Sequence, residues 1–212
     1  MSARQSQTRA ATKLQREMKK LTDALQKEPT LGVAARPVSE LDLLHWQALI
    51  IGPPDSPFAD AWFELDIKFG NDYPHKPPTV TFAHAMFHPN VYNDGSICLD
   101  ILQNMWSPVY QLRSVLLSIR SLLDDPNPKS PGNVDAAKAF DNDRQRYASL
   151  VRGSIVAEGR HTKPLPQWYL DMTGGAGALS DAGATARTSS STVQSTADAS
   201  GASEQAMAVD SK

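Results

Sequence analysis

Apolar residues recur at every second position between residues 63 and 69, and at every third or fourth between residues 112 and 123. That change of period restricts the chain to folds that build a sheet first and pack helices on it later. Phe63, Leu65, Ile67 and Phe69 alternate with Glu64, Asp66 and Lys68, and Val80 and Phe82 alternate with Thr79 and Thr81, the pattern of strands with one buried face. A third strand run covers residues 45–51, and Pro/Gly/Asp clusters at residues 52–57 and 71–78 punctuate the series. Connections this short favour an antiparallel meander, because parallel pairing needs long crossovers. Leu112, Val115, Leu116, Ile119, Leu122 and Leu123 define an apolar central helix, stopped by Asp125-Pro126 and expected to pack across the sheet. Weaker helical patterns cover residues 134–140 and 143–157, the second carried by Tyr147, Leu150, Val151 and Ile155. At the other end, Leu14, Met18, Leu21 and Leu25 predict an amphipathic helix over residues 9–27 that ends before Pro29. The order reads as an α+β domain: an N-terminal helix, an antiparallel meander, a long loop between about residues 83 and 110, the central helix and C-terminal helices.

Residues 9–158 are therefore expected to form one catalytic-size core domain, which 41% hydrophobic residues can furnish. Residues 159–172, with Pro164, Pro166, Trp168 and Tyr169, are expected to be a linker, whose two aromatics either dock on the domain or a partner or are chance apolar residues in a flexible segment, the last being the expectation. Residues 173–212 are rich in Gly, Ala, Ser and Thr, with few charges and no aromatic residue, and are expected to be disordered for want of apolar surface to bury. A net charge near −2 and a pI near 6.2 argue against direct nucleic-acid binding. No apolar run approaches the roughly 18 residues of a membrane span, so a soluble, intracellular protein is expected. Arg4, Arg9, Lys13 and Arg16 precede the first acid, Glu17, as in a transit peptide, but the same stretch runs directly into the first helix. A single cysteine excludes an internal disulfide, no Cys/His cluster has zinc spacing, and His84 and His88 fall at a strand end and not on one helix face. No metal site is expected.

The chemistry points to residues 87–100, a turn-rich loop that delivers Cys98, the only cysteine, beside Asn90. A thiolate is both nucleophile and leaving group, so it can accept an acyl group as a thioester and surrender it to an amine. A cysteine hydrolase would need a base and a group to orient it; the nearest candidate, His88, is followed by Pro89, and its expected role is to brace the loop by a hydrogen bond. Asn90 has two compatible readings: a carboxamide donor to a developing oxyanion, or a side chain that hydrogen-bonds the loop. No Gly-x-x-x-x-Gly-Lys-Ser/Thr loop occurs, so the acyl donor should arrive already activated.

Over residues 14–156 the chain resembles the ubiquitin-conjugating enzymes. Tyr73-Pro74-His75-Lys76-Pro77-Pro78, His88-Pro89-Asn90, Cys98-Leu99-Asp100, Trp106-Ser107-Pro108 and Asp125-Pro126-Asn127-Pro128 stand in that family's order and spacing. The resemblance implies a four-stranded sheet and a thioester of ubiquitin on Cys98, with Asn90 steadying the oxyanion. Asp100 and Ser130 occupy positions credited with accepting the proton of the attacking lysine; Ser130 departs from relatives that place an acid there. It implies as partners ubiquitin, its activating enzyme, a RING-type ligase and protein substrates, with a monomeric chain and no cofactor, ATP being used upstream. Arg16, His75, Pro108 and Val109 match positions that meet the ligase and activating enzyme, His75 replacing an aromatic residue found in some relatives. Ala34 stands where many relatives carry a serine that contacts a second ubiquitin. Ile101-Leu102-Gln103-Asn104 and Asn127-Pro128-Lys129-Ser130-Pro131 look most like the branch linked to post-replication DNA repair and histone ubiquitination, which implies a cytoplasmic and nuclear location.

Overall fold

The structure, a computed structural model, describes residues 3–160 and 163–175. It is α+β: helix α1 (Ala3–Lys27) and a short 3-10 turn lead into strands β1 (Val33–Ser39), β2 (Asp42–Ile51), β3 (Trp62–Lys68) and β4 (Thr79–Phe82), followed by helices α2 (Leu112–Asp124), α3 (Val134–Asn142), α4 (Arg144–Ala157) and α5 (Gln167–Thr173). The four strands lie in sequence order, each antiparallel to the next, as short connections require. Pairing β2 to β3 with Trp46 opposite Ile67, Ala48 opposite Leu65 and Ile50 opposite Phe63 puts the apolar alternates on one face. Central helix α2 packs against β1 and β2, and all six apolar residues read from its sequence are buried. β1 is the strand that periodicity misses, because Arg36-Pro37 interrupts its alternation and a bulge follows Pro37.

Two segments differ from the sequence reading. Helix α1 begins at Ala3 rather than at residue 9. The stretch expected to be a linker folds and docks: Trp62 Nε1 donates to the Lys163 carbonyl at 3.1 Å, Tyr169 is wholly buried, and α5 packs on α1. α5 also runs one residue into the expected tail, burying Thr173 before Gly174 closes it in the left-handed conformation. Trp168 and Tyr169 are thus packing residues and not chance apolar residues of a flexible segment; prolines around them masked a seven-residue helix too short to announce itself by period. The remaining tail, residues 176–212, lies outside the described residues.

One acid in α1 ties the helical and loop layers together. Glu17 sits 5% exposed on the face that also carries Leu14, Leu21 and Leu25, where its carboxylate accepts from the Tyr73 hydroxyl at 3.0 Å, the Leu112 amide at 2.8 Å and Lys13 Nζ at 2.9 Å. The Leu112 amide belongs to the first turn of α2, where no intrahelical acceptor exists, so Glu17 satisfies a donor that burial would otherwise strand. Burial, and then the Glu17 charge and hydrogen bond, push the Tyr73 hydroxyl well above its ordinary pKa. Glu17→Ala leaves two buried donors unpaired and is expected to lower the unfolding free energy by about 3 kcal/mol, against about 1 kcal/mol for Tyr73→Phe. Chemical denaturation checks this, and equal losses would show that the carboxylate is not the shared acceptor.

Candidate active site

Cys98 is presented by a small hairpin and not by an irregular loop. The Cys98 amide donates to the Asn90 carbonyl at 2.8 Å, Val91 bridges Ile97, and the Tyr92 amide donates to the Ser96 carbonyl at 2.9 Å. Alternation along this ladder turns Val91 and Ile97 into the core, both buried, so that Asn90, Tyr92, Ser96 and Cys98 share the opposite face. The turn closes through Gly95 at φ +83°, whose carbonyl accepts from the Phe82 amide at 2.8 Å; a Cβ there would stand 2.3 Å from the Phe82 oxygen. Asp94 accepts from both the amide and the hydroxyl of Ser96, which holds its carboxyl below the usual range.

His88 fixes the base of the hairpin. It is fully buried, with Nε2 against the Leu122 carbonyl at 2.8 Å and Nδ1 accepting the Asn90 amide proton at 3.0 Å. These partners demand a neutral ring with its proton on Nε2. A second proton, on Nδ1, would face the Asn90 N–H. Burial drops its pKa to about 4. His88 therefore braces, as the sequence suggested, and cannot reach the thiol as a base while both nitrogens are occupied.

The Asn90 side chain holds a second loop against the first. Its Nδ2 donates to the carbonyls of Asn127 at 2.8 Å and Ser130 at 3.0 Å, and its Oδ1 accepts the Asn127 amide at 2.8 Å. The Gly132 and Asn133 amides add bonds to the Pro89 carbonyl at 2.8 and 3.0 Å. In consequence the Ser130 hydroxyl stands 3.6 Å from Cys98 Sγ. Of the four residues predicted for chemistry, then, Cys98, Asn90 and Ser130 converge. Asp100 does not join them by any hydrogen bond: it is exposed, and its Oδ1 caps the Ile101 amide at 2.8 Å at the start of a 3-10 turn.

Tyr92 is the site residue that sequence reasoning missed. Its hydroxyl lies beside the Cys98 thiol, whose polar interaction and charge raise the tyrosine's pKa. Its ring lies over Gly132, where an added Cβ would come within 3.2 Å of it. The available signal was the period of two that puts Asn90, Tyr92 and Cys98 on one face of the hairpin. Two hydroxyls, Tyr92 and Ser130, thus flank the sulfur. Among the described residues no group of His, Cys, Asp and Glu could hold a metal ion.

The residues expected to meet partners lie at the helix α1 end. Arg16 and Val109 line a groove of about 470 Å³ with Arg9, Lys13 and Lys20, and the Pro108 carbonyl accepts from Lys13 Nζ at 3.3 Å. Val109 is 77% exposed, an apolar knob beside a basic rim. His75 is exposed but does not line the groove; its loop is tied in through the Trp106 Nε1 donor to the Pro74 carbonyl at 2.8 Å.

Comparison with known proteins finds the pattern of the family described as "Ubiquitin-conjugating enzyme" over residues 13–155. The chain is 46% identical over 150 residues to "Ubiquitin-conjugating enzyme E2 2" of Yarrowia lipolytica, covering 71% of this chain and 96% of the relative. It is 49% identical over 145 residues to "Ubiquitin-conjugating enzyme E2 1" of Caenorhabditis elegans, covering 68% and 73%. It is 52% identical over 127 residues to "Ubiquitin-conjugating enzyme E2 3" of Arabidopsis thaliana, covering 60% and 84%.

Because the folded pKa of His88 lies below its unfolded value near 6.5, the unfolded chain takes up the proton first. Stability therefore falls as pH drops from about 6.5 to about 4 and loses nothing more from this group below that, a total of about 3 kcal/mol. The stabilities of wild type and His88→Gln, from denaturant titrations across this range, should change by amounts that differ by about that total, and parallel curves would show that His88 is not held neutral.

Proposed function

The chain belongs to the ubiquitin-conjugating enzyme family, and we propose that Cys98 is the residue on which it carries ubiquitin, with Asn90, Tyr92 and Ser130 arranged around the acyl group. A ubiquitin-conjugating enzyme is a transferase that works through a cysteine thioester. The observation that carries the residue assignment is the convergence of the sole cysteine with Asn90 and Tyr92 on one face of a braced hairpin, and with the Ser130 hydroxyl brought to it by the neighbouring loop. In loading, the Cys98 thiolate attacks the thioester carbonyl of the charged activating enzyme and expels that enzyme's thiolate. In discharge, a neutral lysine amine attacks the Cys98 thioester, an oxyanion develops on the carbonyl oxygen, and collapse forms the isopeptide and releases the Cys98 thiolate. The amine proton leaves to an acceptor in the site.

Both Nδ2 hydrogens of Asn90 are engaged by the Asn127 and Ser130 carbonyls, so its service as an oxyanion donor requires one of those bonds to be exchanged for the developing charge. A charged acceptor makes the stronger bond, which favours the exchange at the moment it is needed. The Ser130 and Tyr92 hydroxyls are the polar groups beside the sulfur, and they take the place of an acid in relaying the lysine proton. Asp100, two residues beyond the thiol and exposed, acts on the approaching ammonium as a solvated charge. The substrates are protein lysines, with a RING-type ligase and the activating enzyme engaged through the Arg16 and Val109 groove, Pro108 and the His75 loop. The chain acts as a monomer in cytoplasm and nucleus and needs no cofactor of its own. Within the family it falls in the branch linked to DNA repair and histone ubiquitination, a reading supported by residues 101–104 and 127–131 and tested by nucleosome ubiquitination with that branch's ligases.

A loading assay with activating enzyme, ATP and ubiquitin, resolved without reductant, tests the assignment. Wild type should give a reductant-sensitive adduct, Cys98→Ser a reductant-resistant one, and Cys98→Ala none; an adduct that survives in Cys98→Ala would place the acyl group elsewhere. Asn90→Ala should load at close to the wild-type rate but discharge onto free lysine about 100-fold more slowly, the size seen when one oxyanion donor is removed. Normal discharge by a folded Asn90→Ala protein would leave the side chain a purely structural role.

A further inference from the structure

Residues 84–110 and 125–133, which build the site, contain one lysine and no arginine. That lysine, Lys129, directly precedes Ser130, whose hydroxyl stands 3.6 Å from Cys98 Sγ. Its backbone has little freedom. Pro128 and Pro131 stiffen the chain on either side, the Lys129 amide donates to Asn127 Oδ1 at 3.1 Å, and the Ser130 carbonyl accepts from Asn90 Nδ2 at 3.0 Å. The side chain is exposed and, among the described residues, makes no hydrogen bond or ion pair. A flexible stem thus carries an uncommitted ammonium beside any acyl group held on Cys98.

The other ionisable groups of this neighbourhood are engaged or set apart. Asp94 accepts from the amide and hydroxyl of Ser96, and Asp100 accepts the Ile101 amide. Asp135 lies in the first turn of α3, where a negative charge suits the helix N-terminus, with Lys138 farther along the same helix. Asp124 and Asp125 are exposed at the end of α2. His84 faces Glu64 at 3.5 Å, and His88 is buried with both nitrogens occupied. Only Lys129 offers a free charge next to the hydroxyl that flanks the sulfur.

Discharge calls for a charge of that sign. As the neutral amine attacks, the N–C bond forms and the carbonyl electron pair moves onto oxygen. Collapse then breaks the C–S bond and leaves its electron pair on sulfur, while the amine proton passes to the flanking hydroxyls and solvent. Negative charge therefore appears first on the acyl oxygen and then on Cys98. A nearby cation stabilises both, and it disfavours the ammonium form of the incoming lysine. We propose that Lys129 is an electrostatic residue of the discharge step, held by the turn between Pro128 and Pro131 so that its charge offsets that of the oxyanion and the departing thiolate. The inference rests on the reading of Cys98 as the ubiquitin carrier.

The test uses the full chain as wild type, Lys129→Arg, Lys129→Gln and Lys129→Glu. Each is loaded with ubiquitin, purified as the thioester and chased in a single turnover with a lysine whose backbone ends are blocked. A unit charge about 7 Å away, acting through a water-like dielectric, is worth about threefold in rate. Lys129→Gln should therefore discharge about threefold more slowly than wild type and Lys129→Glu about tenfold, whereas Lys129→Arg, which keeps the charge, should restore most of the rate. Raising the salt from about 0.05 M to about 1 M should close the gap between wild type and Lys129→Gln. Equal rates for those two proteins, a Lys129→Arg variant as slow as Lys129→Gln, or a gap that survives high salt overturns the proposal. For a variant that fails to load, alkylation of the bare Cys98 thiol by iodoacetamide decides, since the thiolate is the nucleophile there and no activating enzyme is needed: a rate that follows the charge at position 129 supports the proposal, and a rate indifferent to it overturns it. Failure of wild type to load would sink the carrier reading and the proposal with it, whereas the discharge outcomes, obtained with a loaded wild type, bear on Lys129 alone.

Discussion

The site depends on one buried, uncharged imidazole. The last four carbonyls of any helix lack intrahelical partners, and in α2 the Leu122 carbonyl finds one in His88 Nε2. The other nitrogen then has to be an acceptor, and it takes the Asn90 amide. A helix end is thereby tied to the backbone residue whose carbonyl receives the Cys98 amide and whose side chain gathers residues 127–130. Three elements distant in sequence meet through a single ring. The arrangement tolerates only one tautomer, so the same burial that depresses the pKa also fixes the geometry.

Much of this was legible from residue types. The central helix, three strands and the two helices after residue 134 follow from period, because each buries one face against one partner. Cys98 and Asn90 stand out because a lone thiol beside a carboxamide in a turn-rich stretch has little packing purpose. The parts that were not legible share a physical cause. β1 carries Arg36-Pro37 and packs apolar residues on both faces at its start, so it never alternates cleanly. Glu17 looks like any polar residue of an amphipathic helix until Tyr73 and Leu112 arrive from elsewhere in the chain. Segment 163–175 is the extreme case, for its partners Arg36 and Trp62 lie more than a hundred residues upstream.

The surroundings of the sulfur are poor in acids and rich in hydroxyls. Ser130 and Tyr92 flank it, while Asp100 turns its carboxylate to the Ile101 amide. A hydroxyl both donates and accepts, so it can follow the acyl carbonyl as charge builds and still take part when the amine sheds its proton. A fixed carboxylate beside the carbonyl would repel the oxyanion it is meant to help. Neutral, reversible hydrogen bonds suit a group that has to serve an incoming thioester and an outgoing one in turn.

The catalytic hairpin has a second consequence through its junction with β4. The Phe82 amide donates to Gly95, and Thr81 bridges Ser96, so the hairpin lies along the outer edge of the last strand. An unpaired edge is a template for strands of other chains. Here the element that positions the nucleophile also screens that edge, and a substitution at Gly95 that lifted the turn away from Phe82 would expose it. Loss of activity and a tendency to self-associate would then arise together, from one broken contact.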